Sequence, residues 1–150
     1  MQKLDGQLIT VIGGGGFLGR YVVQRLLARG ARVRVGEREP RKAVFLKPLG
    51  GLGQTQFVVA DVRDPASVAR AVAGSDAVIN LAGAFDDMQA VQADGAGHVA
   101  AAAKSAGART LVHISAIGAD SDGAPAYARS KGDDEAAVRR AFPHAAILRP

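Results

Sequence analysis

Six short apolar runs rich in β-branched residues recur along the chain: "LITVIG" (8–13), "ARVRVGE" (31–37), "QFVVADV" (56–62), "DAVINLAG" (76–83), "TLVHIS" (110–115) and "AAILRP" (145–150). Between them lie stretches with the apolar spacing of helices. Strands separated by helices pair in parallel, because parallel neighbours need a long crossover, and right-handed crossovers place helices on both faces of the sheet. The expected fold is α/β, a doubly wound parallel sheet of six strands with helices on both faces. A chain of 150 residues, 48% of them hydrophobic, builds one core and is short for a two-domain enzyme. Few aromatics and abundant Gly and Ala suit close helix–sheet packing.

The first helix is expected over Phe17 to Arg29, where Leu18, Val22 and Leu26 recur every fourth residue beside Val23 and Leu27, and Gly30 supplies a C-terminal stop. A short second helix starts at Pro40 and breaks between Pro48 and Gly53. Asp64-Pro65 opens a third, closing at Gly74. A fourth runs from Asp86 to Gly107 despite Gly95 and Gly97, each costing about 1 kcal/mol against alanine, a cost that close packing would offset. A fifth spans Pro125 to Phe142. No repeat or linker divides the chain, and the last strand runs into Pro150, which reads as a cut.

Between the first strand and the first helix stands "VIGGGGFLGR". Gly13, Gly16 and Gly19 fit G-x-x-G-x-x-G, and Gly14, Gly16 and Gly19 fit G-x-G-x-x-G. A strand turning sharply into a helix leaves first-turn N–H groups unpaired, and the helix dipole adds partial positive charge where a pyrophosphate would sit. Glycines let the backbone approach those oxygens and let the helix pack on the strand. A merely flexible turn is the alternative, but the strand before, the amphipathic helix after and a second strand about 20 residues on supply the context of a Rossmann fingerprint. Gly13, Gly15, Gly16, Phe17, Leu18 and Gly19 form the first group of candidate cofactor-binding residues, with bare amides expected along the turn.

An acidic residue closing the second strand suits the ribose hydroxyls of NAD(H), whereas Arg there suits the 2′-phosphate of NADP(H). "VGEREP" offers both, in Glu37 and Arg38. Arg38 has Arg34, Arg41 and Lys42 nearby in sequence, which favours NADP(H), with NAD(H) as the alternative; Glu37 would serve a ribose or face solvent. After the third strand, Asp61 is placed to accept from an adenine amino group and Val62 to pack on the ring, or Asp61 simply ends the strand.

A net charge of +5 and a pI near 10.1 point to an anionic partner: a phosphorylated cofactor, a nucleic acid or a membrane surface. Scarce stacking residues and the lack of a nucleic-acid motif argue against the second. Without cysteine there is no disulfide or thiolate chemistry, and His98, His113 and His144 lack metal-ligand spacing, so no metal site is expected. The apolar run before the glycines is too short for a secretory or membrane-spanning segment.

"GGGGFLGR", "ADVRD", "NLAG" and "YARSK" together, in order and over nearly the whole chain, resemble the short-chain dehydrogenase/reductase superfamily in its extended or atypical branch, often labelled NAD-dependent epimerase/dehydratase. "FLKPLGGLGQ", "VAGSDAVINLAG", "LVHISAIGAD" and "YARSKGDDEAAVR" are similar to bacterial relatives of the NADPH-binding accessory subunit of respiratory complex I. The resemblance implies that Tyr127 and Lys131 are the catalytic acid/base pair, with Lys131 also holding the nicotinamide ribose. It implies that Leu81, Ala82 and Gly83 pass near the adenosine ribose, braced by Asn80, and that Ser115 lies on the cofactor side. The absence of cysteine fits a reducing, cytoplasmic location, and the likeness implies the alternative of one peripheral to the inner membrane beside a respiratory complex.

One position departs from the pattern. Extended members show Ser-Ser after the fifth strand, the second Ser polarising the substrate carbonyl, and here the step is Ser115-Ala116. Losing one donor at a developing oxyanion costs about 10²- to 10³-fold in rate. Two functions are therefore expected to compete: an NADP(H)-dependent oxidoreductase or epimerase/dehydratase acting on an unidentified small molecule, and a non-catalytic NADPH-holding accessory protein. Substrate contacts in such folds come largely after the sixth strand, so this stretch alone is expected to bind cofactor weakly and turn nothing over.

Overall fold

A computed structural model describes residues 3–84 and 86–150. The strands are β1 (Leu8–Ile12), β2 (Arg32–Glu37), β3 (Thr55–Val59), β4 (Ala77–Asn80), β5 (Thr110–Ile114) and β6 (Ala146–Leu148). They form one parallel sheet in the order β3-β2-β1-β4-β5-β6. All five β1 residues are buried, as an unbroken apolar run requires of a strand covered on both faces. Val11 sits opposite Val35 on one side and Ile79 on the other.

Helix α1 (Phe17–Ala28) and a 3-10 helix (Pro40–Leu49) cover one face through Val23, Leu27 and Leu46 packed on Val33 and Val35. Helices α2 (Pro65–Val72), α3 (Gly95–Ser105) and α4 (Ala126–Ala141) cover the other through Val68, Val72, Val99 and Val138 packed on Val78 and Leu111. The sequence-expected fold stands, with helices on both faces.

Local chemistry sets the boundaries. Helix α1 ends in a Schellman arrangement: Gly30 has φ +88°, its N–H bonds Leu27 O at 3.0 Å and the Ala31 N–H bonds Leu26 O at 3.2 Å. The Asp64 carboxylate accepts from Ala66 N–H at 3.0 Å and caps α2. Two expected helices differ from their reading. The segment from Pro40 to Leu49 winds as a 3-10 helix rather than an α-helix. The fourth helix is not one α-helix from Asp86: a π turn (Gln89–Asp94) precedes α3. That turn directs Gln92 inward, where its carboxamide donates to Ala84 O and accepts from the Ser130 hydroxyl at 2.7 Å. Gly95 has the close-packing reason expected of it, because a Cβ there would lie 2.7 Å from Val62 Cγ2.

Strand order reverses between β1 and β4, and the crevice at their carboxyl ends is where such sheets bind ligands.

Candidate dinucleotide site

The glycine turn is built by packing as much as by flexibility. Gly13 adopts φ +79°, and a Cβ on it would lie 3.1 Å from Ala82 N, inside the crevice between β1 and β4. A Cβ on Gly19 would lie 2.4 Å from Gly14 O, so a bare Cα lets α1 start against the turn. The α1 N-cap is Gly16, which offers no side-chain cap to the first-turn N–H groups.

The expectation of bare amides along the whole turn is corrected here. Gly13 N–H bonds Gly36 O at 2.9 Å, Gly16 N–H bonds Gly13 O at 3.2 Å, and Gly15 N–H donates to the Glu37 carboxylate at 2.7 Å. Glu37 is thus half-buried and turned into the site rather than to solvent, because β2 ends directly beside the turn.

A cavity of about 560 Å³ opens at this crevice. It is lined by Gly13, Gly15 and Gly16 from the turn, Glu37 and Arg38 after β2, Asp61 and Val62 after β3, and Leu81, Ala82 and Gly83 after β4. Nine of the sequence-predicted cofactor residues therefore converge on one space. Phe17, Leu18, Gly19, Ser115, Tyr127 and Lys131 are not among its lining residues.

The charges around the cavity are partly committed. The Arg63 guanidinium binds Asp61 from Nε at 3.0 Å and Nη2 at 2.8 Å, and these bonds hold the Asp61 carboxyl down at about 2. Lys42 pairs with Glu39 at 2.8 Å. Arg34 does not join Arg38, as its sequence position suggested: its guanidinium caps the end of α2, on Ala71 O at 2.8 Å and Ala73 O at 2.7 Å. Side chains alternate along a strand, so Arg34 projects to the face opposite the buried Val33 and Val35.

Lys131, on α4, has a different environment. Its side chain is only 4% exposed, and its ammonium lies 2.7 Å from an Asp134 carboxylate oxygen and 3.0 Å from Ile114 O. Asp134 is fully buried, and its other oxygen is 3.0 Å from His113 Nε2. His113 Nδ1 faces Asn80 Nδ2 at 3.2 Å, and Asn80 Oδ1 accepts from Ala82 N–H at 3.1 Å, which braces the β4 loop as the sequence suggested. A polar chain thus links the cavity wall to Lys131 through the core. Tyr127, four residues earlier, lies at the surface, so the two members of the expected pair differ in burial despite sharing a helix face.

Ser115 is buried beside Glu135 and its N–H bonds Leu148 O at 2.7 Å. The Arg149 guanidinium grips Glu135 with two bonds of 2.8 Å and holds its carboxyl down at about 2. Asp134, His113 and the Glu37–Gly15 bond were not singled out by sequence. Among the described residues no group of three or more acidic or His side chains could hold a metal ion, and no helix is long and apolar enough to cross a membrane.

A parallel β3-β2-β1-β4-β5-β6 sheet with a glycine turn at its switch point defines a Rossmann-type dinucleotide-binding domain. The chain belongs to the NAD(P)H-binding family, whose model matches residues 13–150. Within that family it is of the extended short-chain dehydrogenase/reductase type. Among curated relatives, it is 37% identical over 154 residues to the mouse "NADH dehydrogenase [ubiquinone] 1 alpha subcomplex subunit 9, mitochondrial", covering 99% of this chain and 41% of that protein. It is 34% identical over 148 residues to a ceramide reductase of Caulobacter vibrioides, covering 95% and 45%. Vestitone reductase from alfalfa shares the fold at a TM-score of 0.80 and 24% identity, covering 95% of this chain and 56% of that one. The chain spans less than half the length of these two curated relatives.

Proposed function

We propose that residues 1–150 act as one unit that holds NADP(H) without turning over a carbonyl substrate. The residues fit the cofactor: the crevice is one that a Cβ on Gly13 would invade, and the α1 N-terminus lacks a side-chain cap. In this reading the first-turn amides at Phe17 and Leu18 and the glycine turn bind the pyrophosphate. Arg38 takes the 2′-phosphate, since the Glu37 carboxylate is engaged by Gly15 and Lys42 by Glu39. Asp61 and Val62 border the adenine, Leu81, Ala82 and Gly83 the adenosine ribose, and Ser115 and Lys131 the nicotinamide ribose.

The observation that carries the non-catalytic reading is the burial of Lys131 against Asp134. An ammonium neutralised by a carboxylate at 2.7 Å lends less positive potential to a neighbouring phenol, and the step after Ser115 supplies Ala116 in place of a hydroxyl. Both differences weaken proton transfer and carbonyl polarisation while leaving cofactor retention intact.

The enzymatic reading rests on the Tyr127-x-x-x-Lys131 spacing and on the ceramide reductase likeness. There Tyr127 gives or takes the proton at the substrate oxygen, and the bound nicotinamide supplies or accepts hydride. The likeness to the complex I subunit favours a location beside a respiratory complex, peripheral to a membrane.

Fluorescence titration with NADPH and NADH, followed by an absorbance assay over a panel of aldehydes and ketones, separates these readings. The expected result is tighter binding of NADPH, no substrate-dependent oxidation, and the same affinity in Tyr127→Phe. Equal affinity for both cofactors removes Arg38 as phosphate ligand, and turnover that Tyr127→Phe abolishes establishes the enzyme.

A further inference from the structure

Charge is distributed unevenly along this chain. Residues 17–52 carry nine Lys and Arg against two acidic residues, whereas the remainder carries ten against twelve. Helix α1 and the 3-10 helix hold five of these cations and no acidic residue. The two elements pack side by side on the same face of the sheet.

The same flank exposes rings. Phe17 is 80% exposed, Tyr21 52% and Phe45 46%, with Val44 beside them. Phe17 and Tyr21 meet edge to face at 5.8 Å, and the Arg20 guanidinium lies 5.2 Å from the centre of the Phe45 ring, so the two helices present one continuous aromatic and cationic surface. None of these apolar residues lines the cavity at the β1–β4 crevice. They project outward, and an occupant must receive them rather than fill a cleft.

We propose that this flank docks on the surface of an anionic lipid bilayer. Aromatic rings enter the headgroup region while the apolar stems of Arg and Lys lie along it with their charges at the lipid phosphates. Each cation near such a surface strengthens attachment several-fold, and with Lys42 already paired to Glu39 the other four, Arg20, Arg25, Arg41 and Lys47, give a graded, reversible attachment. No spanning helix is needed for it. Arg38 and Lys42 line the cofactor cavity and adjoin this flank, so docking brings the cavity mouth near the membrane. The proposal is independent of whether the site turns substrate over.

Co-sedimentation with vesicles tests it, using equal parts phosphatidylglycerol and phosphatidylcholine against phosphatidylcholine alone. The expected result is retention on the anionic vesicles only, released at about 0.5 M salt, where the Debye length falls to a few Å. Arg25→Glu with Lys47→Glu should weaken retention by about thirtyfold or more, and Tyr21→Ser with Phe45→Ser by about tenfold. All four positions are exposed, and thermal melting with an NADPH titration on the same samples checks that both doubles remain folded and bind cofactor unchanged. Equal retention on neutral vesicles, retention on neither at low salt, or undiminished retention of both doubles overturns the proposal. So does a lipid-free dimer that Phe45→Ser dissociates, which would assign the flank to a second copy of the chain.

Discussion

The β1–β2–β3 side of the switch point and the β5–α4 side are built by opposite means. On the first side, glycine main chain shapes the wall of an open cavity of about 560 Å³. On the second, the groups are charged side chains satisfied within the protein: Lys131 by Asp134, Glu135 by Arg149. Backbone amides can be left facing a ligand because each carries little charge, whereas a bare buried ammonium would cost several kcal/mol.

The largest expected effect lies on the β5–α4 side. Asp134→Ala strands a buried ammonium and leaves His113 Nε2 without its partner, and should lower unfolding free energy by about 3–5 kcal/mol in urea titration. A loss below about 1 kcal/mol would break the comparison, since the cluster would then not be structural. Acid should act next. Glu135 has its carboxyl held near 2 against an ordinary 4.5 by Arg149, so the stability from that pair is complete above about 4.5 and is lost as pH falls toward 2. The loss is on the order of 3 kcal/mol, and Arg149→Ala should flatten that part of the stability-versus-pH curve.

Effects on the glycine side are smaller in stability and sharper in binding. Gly19→Ala must displace the Gly14 carbonyl and should cost about 1–3 kcal/mol together with most NADPH affinity, read by fluorescence titration. Gly16→Ala meets only Gly13 O at 3.4 Å and should leave stability within about 0.5 kcal/mol. If Gly16→Ala destabilises as much as Gly19→Ala, packing does not explain the turn. Arg38→Ala should weaken NADPH about tenfold and leave NADH unchanged, a difference of roughly 1.4 kcal/mol.

Much of this architecture could be read in the sequence, and the failures have physical causes. All six strands fall within the apolar runs that predicted them, apart from Thr55, which precedes its run by one residue; the outline is cleanest at β1, buried throughout, and survives at β2 because Val33 and Val35 alternate with Arg32 and Arg34. The π turn escaped because helical periodicity over 89–94 cannot distinguish an i+4 ladder from an i+5 one. Asp134 escaped because "SKGDDEAAVRR" looks like a solvated charge run. Two signals were there to be used. Asp134 stands three residues from Lys131, the spacing of facing side chains on a helix, and His113 alternates with Leu111 on the inward side of β5, where an imidazole needs a partner. The Glu37–Gly15 bond had no sequence signature, since it depends on how closely β2 approaches the turn.

That bond shapes how a ligand arrives. With its own carboxylate already seated on the Gly15 amide, the turn does not wait as a hollow shell to be organised by the incoming nucleotide. In the proposed reading the nucleotide phosphates go to the Phe17 and Leu18 amides, so the acid keeps its seat on Gly15 with or without a ligand. A loop braced in this way keeps its shape without a ligand, so association need not include the slow ordering of four consecutive glycines.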